Sequence, residues 1–301
     1  MINIISNKNP IIYGLEGLEV SKEERFFFQR IQPVGFILFA RNIANKTQTK
    51  ALVESLKEIS GENSMILIDQ EGGRVARLNK KHWPVFPPVA HFGKIYQQNP
   101  QKAKKSCFDN FVEIGKNLAE LGINVNCAPM IDLLHFDSDN IIGDRSFGED
   151  VEVVSILGQV AIDGMAKCGV QSIIKHIPGH GRARCDSHLD LPIISENLET
   201  LVETDFKVFE NLKSAPIAMT AHIIFEAIDN LPVTISKKTI DFIRQKIGFK
   251  NLLITDDLSM KALSGSLRDN SKKAIDAGCD ILLHCNGIMD EMQEISEIFD
   301  K

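Results

Sequence analysis

Long apolar runs, an excess of positive charge and paired cysteines are all missing from this sequence. No run comes near the roughly 20 consecutive apolar residues of a membrane-spanning helix. The first residues, MINIISNKNPIIYG, have neither the basic segment nor the continuous apolar stretch of a secretory leader. Acidic residues outnumber Lys and Arg by 40 to 34, whereas nucleic-acid-binding proteins usually carry clustered Lys and Arg. We therefore expect neither a membrane nor a nucleic acid as partner, but a small molecule.

The cysteines indicate a reducing compartment. There are six, and they form no CxxC pair and show none of the close spacing of a disulfide framework. In a chain that is expected to stay in the cytosol, such cysteines should be reduced thiols, most of them buried. We predict a cytoplasmic protein, and the sequence does not determine its oligomeric state.

Eight short apolar runs predict eight buried strands. Continuous runs of this kind are typical of strands that are covered on both faces, as in parallel sheets. They lie at 10–14, 34–39, 65–69, 123–128, 171–176, 216–222, 251–256 and 280–285.

Segments with helical periodicity separate these runs. Gly122 and Gly169 stand where two of the helices should end, and Ser236 is a plausible N-cap. The predicted helices cover 46–60, 106–122, 150–169, 197–212 and 236–248.

Eight alternations of strand and helix in a chain of 301 residues predict the α/β class and a (β/α)8 barrel of the TIM type. A doubly wound open sheet is the alternative. It would need a glycine-rich phosphate-binding turn after the first strand, and IIYGLEGLE matches that turn poorly. No repeat, low-complexity stretch or linker divides the chain, so we expect one catalytic domain over 1–301.

Polar residues gather where the predicted strands end. Asp69, Lys175, His176, His222 and Asp256 all follow apolar runs directly. Each has an ordinary structural explanation: Asp256 could cap a helix, His222 could be a core histidine, and Lys175 could extend to the surface. In a barrel, however, the carboxyl ends of the strands and the loops after them build the active site. Their convergence on one rim therefore predicts a functional site there.

The segment KHIPGHGRARCDSH contains a candidate acid–base pair, Asp186 and His188. A carboxylate two residues before an imidazole can fix its tautomer and raise its basicity, which suits general acid–base catalysis near neutral pH. Asp256, at the end of a buried strand, would supply a carboxylate nucleophile. Together they describe a retaining glycosidase in which His188 replaces one of the usual two carboxylates. Gly179 and Gly181 would let the loop close over a ligand or move away.

A metal-dependent barrel hydrolase of the amidohydrolase type is the alternative function. It would use His176, His180, His222 and Asp256 as zinc ligands. The first strand has no His-x-His pair, however, and the HIPGH segment cannot present both rings from one helical face. A non-catalytic sugar- or phosphate-binding barrel is a third possibility, although it would need no Asp–His pair.

Four motifs carry a resemblance to a known family. KHIPGHGRARCDSHLDLP, IDQEGGRVARL, GDRSFGED and TDDLSM resemble the motifs of glycoside hydrolase family 3, in the family's order. The resemblance is closest to its single-domain bacterial cytoplasmic β-N-acetylglucosaminidases of peptidoglycan recycling. It implies Asp256 as nucleophile, with Asp257 as the alternative, and His188 as acid/base oriented by Asp186. It also implies a set of N-acetylglucosamine contacts, which are Asp69, Arg77, Arg145, Lys175 and His176.

The implied substrate is N-acetylglucosamine β-1,4-linked to muramic or anhydromuramic acid, with or without a stem peptide. No cofactor and no metal are implied. Since the chain has one Trp and two Tyr, polar side chains should carry most of the binding, with Trp83 or a Phe as a possible stacking platform. Phosphate instead of water as acceptor stays open because of Arg182 and Arg184. A substrate-assisted mechanism would need an adjacent Asp–Glu pair at a strand end, and the nearest such pairs, Glu149–Asp150 and Asp290–Glu291, do not lie at one.

Overall fold

The computed structural model describes residues 8–136, 138–184 and 190–299. Within these ranges the eight predicted strands are all present. Their bounds are β1 Asn9–Tyr13, β2 Pro33–Leu38, β3 Met65–Ile68, β4 Val125–Asn126, β5 Gln171–Ile177, β6 Ile217–Thr220, β7 Leu252–Asp257 and β8 Ile281–His284.

The strands form a closed parallel barrel in sequence order. Each pairs with the next, and β1 closes the circle by pairing with β8, where Ile12 lies opposite Leu283. On its other side Ile12 lies opposite Gly35 of β2. The predicted (β/α)8 barrel is therefore confirmed and the doubly wound sheet is wrong.

Two apolar layers explain why the strands read as continuous apolar runs. Successive side chains alternate between the faces of a strand. In β3, Met65 and Leu67 belong to the cluster that fills the barrel, whereas Ile66 and Ile68 belong to the cluster between barrel and helices. Both faces are buried, so neither needs polar residues.

Ten α-helices surround the barrel or cover its ends in the described ranges. Several begin at a Ser, Asn or Asp whose side chain accepts a backbone N–H, as at Asn45 and Ser236. Their bounds are α1 Lys22–Ile31, α2 Lys46–Ser60, α3 Ala90–Gln98, α4 Pro100–Glu120, α5 Val151–Ala166, α6 Leu198–Glu203, α7 Asp205–Asn211, α8 Lys237–Phe242, α9 Leu267–Ala277 and α10 Met289–Ser296. No helix in the described part of the chain is long and apolar enough to cross a membrane.

The helix predictions hold with three differences, of which the first is that α4 begins at Pro100 and not at 106. Helix α2 has the predicted bounds, and Gly122 and Gly169 adopt the positive φ of residues that follow a helix. The single helix predicted over 197–212 is instead two helices that break at Thr204. The segment after Ser236 leaves α-helical geometry at Phe242 and continues as a π-helix over Ile243–Ile247.

Candidate active site

A cavity of about 420 Å³ opens at the carboxyl ends of the barrel strands. This volume is within the range of small-molecule sites. Six of the residues predicted from sequence line it: Asp69, Arg77, Arg145, Lys175, His176 and Asp256. His180 lines it as well, whereas His222 is not among the lining residues.

A chain of ion pairs forms one side of the cavity. The Nζ of Lys175 lies 2.9 Å from Oδ1 of Asp69 and 2.7 Å from Oε1 of Glu71. Arg145 donates to both carboxylate oxygens of Glu71 at 2.8 Å, and Arg77 donates to Oδ2 of Asp69 at 3.2 Å. Cations and anions therefore alternate from Arg77 to Arg145. Lys175 is 3% exposed, so it does not extend to the surface, and Arg145 pairs with neither Asp144 nor Glu149.

The pairing keeps these groups charged despite their burial. Burial raises the pKa of the Glu71 carboxyl, but Lys175 and then Arg145 outweigh it and hold that pKa well below its usual range. For Asp69, burial is likewise outweighed, first by Lys175 and then by Arg77, and the pKa is lowered. Burial lowers the pKa of Lys175, but Asp69 and Glu71 raise it above its ordinary value. The donors are thus fixed in place before any ligand arrives.

Glu71 was not singled out in the sequence. Its place in IDQEGGRVARL, two residues after the strand-end Asp69, is the only signal that could have indicated it. Both carboxylate oxygens are engaged by Arg145, and one also by Lys175. Glu71 therefore positions the two cations.

Asp132 is a second functional residue that sequence reasoning missed. Its Oδ2 accepts a hydrogen bond from Nδ1 of His176 at 2.8 Å, and its Oδ1 accepts from the backbone N–H of His180 at 2.6 Å. Burial opposes ionisation, but His176 and then His180 lower the pKa of this carboxyl. Since a carboxylate only accepts, Nδ1 of His176 carries the hydrogen and Nε2 is the nitrogen that a ligand can use. The strand-end position of Asp132 in PMIDLL was its only sequence signal.

The two aspartates at the end of β7 have different surroundings. Asp257 accepts at Oδ1 from the backbone N–H groups of Ser259 and Cys285, at 3.0 and 3.1 Å, and at Oδ2 from the Ser259 hydroxyl. Both oxygens of the Asp257 carboxylate therefore accept hydrogen bonds from the protein. The backbone N–H of Asp256 donates to Thr220 Oγ1 at 3.3 Å, and its Oδ1 accepts from the backbone N–H of Asp257 at 2.8 Å. Asp256 and Asp257 both line the cavity. Both strand-end carboxylates therefore lie at the cavity wall.

The histidines of the metal alternative do not form a ligand set. His222 is fully buried and uses both ring nitrogens, Nδ1 with Thr234 Oγ1 at 2.7 Å and Nε2 with the Asp257 carbonyl at 2.9 Å. Burial, and after it the neighbouring His176, lower the pKa of His180 to about 4. Among the described residues, no group of three or more His, Cys, Asp or Glu could hold a metal ion. The metal-hydrolase alternative gains no support here.

The predicted acid–base pair, Asp186 and His188, lies outside the described residues. The loop is described up to Arg184. Its first part is tightly held, because Arg182 Nε lies 2.6 Å and His135 Nε2 lies 2.8 Å from the buried carboxylate of Asp205. A Cβ on Gly181 would lie 2.0 Å from the Leu133 carbonyl oxygen, so this glycine serves close packing. The charge of Arg182 is thus paired with Asp205.

Trp83, which was predicted to stack against the sugar, does not line the cavity. Trp83 is 4% exposed and is not among the lining residues, whereas Phe39 is. The guanidinium carbons of Arg41 and Arg77 lie 4.8 and 5.5 Å from the Phe39 ring centroid. The aromatic contribution at the cavity wall therefore comes from Phe39.

A (β/α)8 barrel that gathers a strand-end carboxylate and a set of fixed cationic donors in one cavity is the architecture of a barrel glycoside hydrolase, and this protein is a glycoside hydrolase. Residues 12–301 match the family described as "Glycosyl hydrolase family 3 N terminal domain", so the chain belongs to glycoside hydrolase family 3.

Relatives agree with this membership. A β-hexosaminidase of Tolumonas auensis is 35% identical over 287 residues, covering 92% of this chain and 83% of that protein. The structure of NagZ from Neisseria gonorrhoeae in complex with N-trifluoroacetyl-D-glucosamine is similar with a TM-score of 0.91 and 29% identity, covering 97% of this chain and 86% of that one. A family 3 β-N-acetylglucosaminidase from Paenibacillus gives a TM-score of 0.87 at 30% identity, and this chain, covered to 96%, spans 55% of it.

Proposed function

We propose that this protein is a retaining exo-β-N-acetylglucosaminidase. It releases N-acetylglucosamine from β-1,4-linked muramic or anhydromuramic acid, or from muropeptides, during cell-wall recycling in the cytoplasm. The observation that carries the proposal is the meeting of Asp256 with the ion-paired donors Lys175 and Arg145 in one cavity. The names of the relatives, β-hexosaminidase and β-N-acetylglucosaminidase, support the choice of sugar.

The cavity offers the hydrogen bonds that a saccharide needs. Lys175, Arg145 and Arg77 donate to hydroxyl and acetamido oxygens, while Asp69 accepts from hydroxyls and His176 offers Nε2. Because burial and ion pairing fix these groups, the sugar does not have to order them on binding. We assign these five residues to the N-acetylglucosamine subsite.

The reaction proceeds in two displacements. The Asp256 carboxylate attacks the anomeric carbon while the glycosidic oxygen leaves with a proton from His188, which gives a glycosyl–Asp256 ester. Water then attacks the same carbon, His188 takes its proton, and the Asp256 carboxylate is released. Asp186 orients the imidazole through both steps. His188 and Asp186 are assigned here from the sequence motif alone.

Hydrolysis of 4-nitrophenyl β-N-acetylglucosaminide tests the proposal. We expect wild type to release 4-nitrophenol and to be indifferent to a chelator, whereas Asp256→Asn should lose at least about 1,000-fold in kcat because no glycosyl ester can form. Asp257→Asn, which changes the neighbouring carboxylate, is the matched variant and should retain more activity. A 2-fluoro-sugar adduct on Asp256, detected by mass spectrometry, identifies the nucleophile.

Two outcomes would contradict the proposal. Inactivation of wild type by the chelator would favour the metal-dependent hydrolase. An adduct on any other residue, or full turnover by Asp256→Asn, would remove Asp256 from the nucleophile's role.

The one-domain organisation over 1–301 stays a prediction.

A further inference from the structure

Asp205 is a buried carboxylate that the proposed mechanism does not use. It lies at the start of α7, is 2% exposed and is not among the residues that line the cavity. Its Oδ1 accepts a hydrogen bond from Nε2 of His135 at 2.8 Å, and its Oδ2 accepts one from Nε of Arg182 at 2.6 Å. Burial raises the pKa of this carboxyl, but His135 and then Arg182 lower that pKa more. Asp205 therefore stays ionised and holds two donors that come from different loops.

The guanidinium of Arg182 is held at three nitrogens. Besides the contact of Nε with Asp205, Nη1 lies 3.4 Å from Oε2 of Glu196 and Nη2 donates to Thr204 Oγ1 at 3.2 Å. These partners lie just before α6 and at the junction of α6 and α7. The side chain of Arg182 thus ties the loop after β5 to that junction.

The backbone on either side of Arg182 is held by the loop after β4. The Gly181 carbonyl accepts from the Ser138 hydroxyl at 2.6 Å. The Ala183 carbonyl accepts from the backbone N–H of Asp139 at 2.9 Å. The segment around Arg182 therefore lies between the loop after β4 and the start of α7, with hydrogen bonds to both.

The proposed acid–base pair follows this segment closely in the chain. Ala183 precedes Asp186 by three residues and His188 by five. Since an extended chain spans at most about 3.6 Å per residue, a fixed Ala183 keeps Asp186 within roughly 11 Å. Asp205 therefore helps to set the point from which the chain runs on to the pair.

We propose that Asp205 is a positioning residue for the acid–base pair, and that it acts through Arg182 on the loop that leads to His188. The inference rests on the proposed function, because it takes His188 as the acid/base. A general acid must lie within hydrogen-bond reach of the oxygen that it protonates, and a misplacement of about 1 Å can cost about 100-fold in rate. Loss of the contact between Asp205 and Arg182 should therefore impair proton transfer to the leaving group while the sugar contacts stay in place.

Two substrates that differ in their need for an acid test this inference. The leaving group of 2,4-dinitrophenyl β-N-acetylglucosaminide is a stable anion, so it departs with little help from His188. The sugar hydroxyl that leaves from N,N′-diacetylchitobiose must be protonated as the glycosidic bond breaks. For both substrates kcat/KM reports the transition state of the first displacement, in which this proton is transferred.

Asp205→Asn should lose activity selectively. The amide keeps the volume of the carboxylate, but its NH2 group would face Arg182 or His135, both of which donate. We expect kcat/KM to fall by roughly 10- to 100-fold for diacetylchitobiose and by less than about 3-fold for the dinitrophenyl glycoside, since only the first depends on a well-placed acid. His188→Ala should show the same selectivity with a larger loss.

Glu210→Gln is the matched control. It changes a carboxylate on the same helix whose pair with Lys207 is partly exposed, and both kcat/KM values should stay at those of wild type. Arg182→Gln should reproduce the selective loss, and Arg182→Lys should restore part of it. The double variant of Asp205→Asn and Arg182→Gln should lose no more than the larger single loss, because the two residues act as one unit.

The outcomes are distinguishable. Unchanged values or equal losses for the two substrates in Asp205→Asn, or additive losses in the double variant, would overturn the inference and leave the proposed function intact. Failure of wild type to cleave either substrate would instead refute the proposed function. If Asp205→Asn does not fold, Arg182→Gln still decides, because this side chain is partly exposed and the same selective loss is required of it.

Discussion

At the scale of single residues, the cavity depends on carboxylates that never need to touch the substrate. Glu71 holds Lys175 and Arg145 at 2.7 and 2.8 Å, and all three side chains are nearly buried. Buried ion pairs contribute little net stability against an apolar replacement, but removing one partner leaves a buried charge without compensation. In this cavity the ion pairs of Glu71 serve to hold Lys175 and Arg145 in position.

Glu71→Gln should therefore damage both stability and binding. Loss of one partner from a buried network costs about 3–5 kcal/mol, and we expect KM for the 4-nitrophenyl substrate to rise because Lys175 and Arg145 lose their common anchor. Glu120→Gln is the control, since its pair with Lys46 is exposed and worth about 0–1 kcal/mol. Urea denaturation and steady-state kinetics give the two readouts. Equal effects of the two substitutions would contradict this role.

Glu71 also determines part of how the free energy of unfolding changes in acid. The pKa of Glu71 is lower in the folded protein than in the unfolded chain. The stabilisation that ionised Glu71 contributes is therefore fully present above the pKa of this residue in the unfolded chain, about 4.3. It is lost as the pH falls below that value. Wild type should lose stability on acidification more steeply than Glu71→Gln. Parallel curves of unfolding free energy against pH would show that Glu71 is not responsible.

At the scale of elements, one carboxylate links the ends of two strands to the loop that leads to His188. Asp132 follows β4, while His176 is the penultimate residue of β5 and His180 lies in the loop after it. The break between α6 and α7 has a similar origin. Thr204 donates to the Asp205 carboxylate at 3.0 Å, and that carboxylate binds Arg182 and His135. Tertiary contacts thus override the helical pattern of 197–212.

Asp132→Asn should alter the tautomer of His176. The amide can present its NH2 toward Nδ1, which would then have to accept, and Nε2 would carry the hydrogen. We expect kcat/KM to fall by roughly 10- to 100-fold, the cost of one hydrogen bond involving a charged group. Imidazole 15N chemical shifts report the tautomer directly, a readout that a purely structural defect would not move in this direction.

Asp150→Asn is the matched control for that experiment. Asp150 caps α5 through backbone N–H groups, and asparagine is an equally good N-cap. This variant should retain wild-type kinetics. An Asp132→Asn variant with a wild-type His176 tautomer and wild-type kcat/KM would remove Asp132 from the positioning role.

At the scale of the whole molecule, barrel closure depends on a close approach between β1 and β8. The backbone N–H of Gly14 donates to the His284 carbonyl at 2.7 Å, directly after the pair Tyr13 and His284. A Cβ on Gly14 would lie 2.1 Å from the Cys285 carbonyl oxygen. No side chain fits that space without moving backbone.

Gly14→Ala should consequently weaken the closed barrel. We expect a loss of about 2–4 kcal/mol in unfolding free energy, as for other substitutions that force backbone strain. Gly17→Ala is the control, since a Cβ there meets nothing within 4 Å. Urea denaturation of both variants measures the difference. Equal stability of the two would mean that the closure tolerates a methyl group.

The local sequence pattern was sufficient to predict the barrel. It was not sufficient to predict which side chains pair with one another in the active site. The eight apolar runs indicated eight strands because burial on both faces leaves a signal within each strand. Asp69, Arg77, Arg145, Lys175, His176 and Asp256 were indicated because strand ends and family motifs are local as well. Glu71 stands in one of these motifs and Asp132 follows a predicted strand, but their partners are 74, 104 and 44 residues away in the chain. No pattern within one segment records such a partner.

The sequence by itself determined which segments form the buried strands, where several helices are capped, and six of the polar side chains that line the cavity. Periodicity and capping are set by neighbours along the chain, so they can be read without the fold. Only the tertiary structure decided which partner each cation meets. Arg41 and Arg74 look alike in sequence, yet Arg74 pairs with Asp144, whereas Arg41 donates to the Leu15 and Cys285 carbonyls and stacks over Phe39. Electrostatic compensation depends on distances in space, and closing the barrel is what sets them.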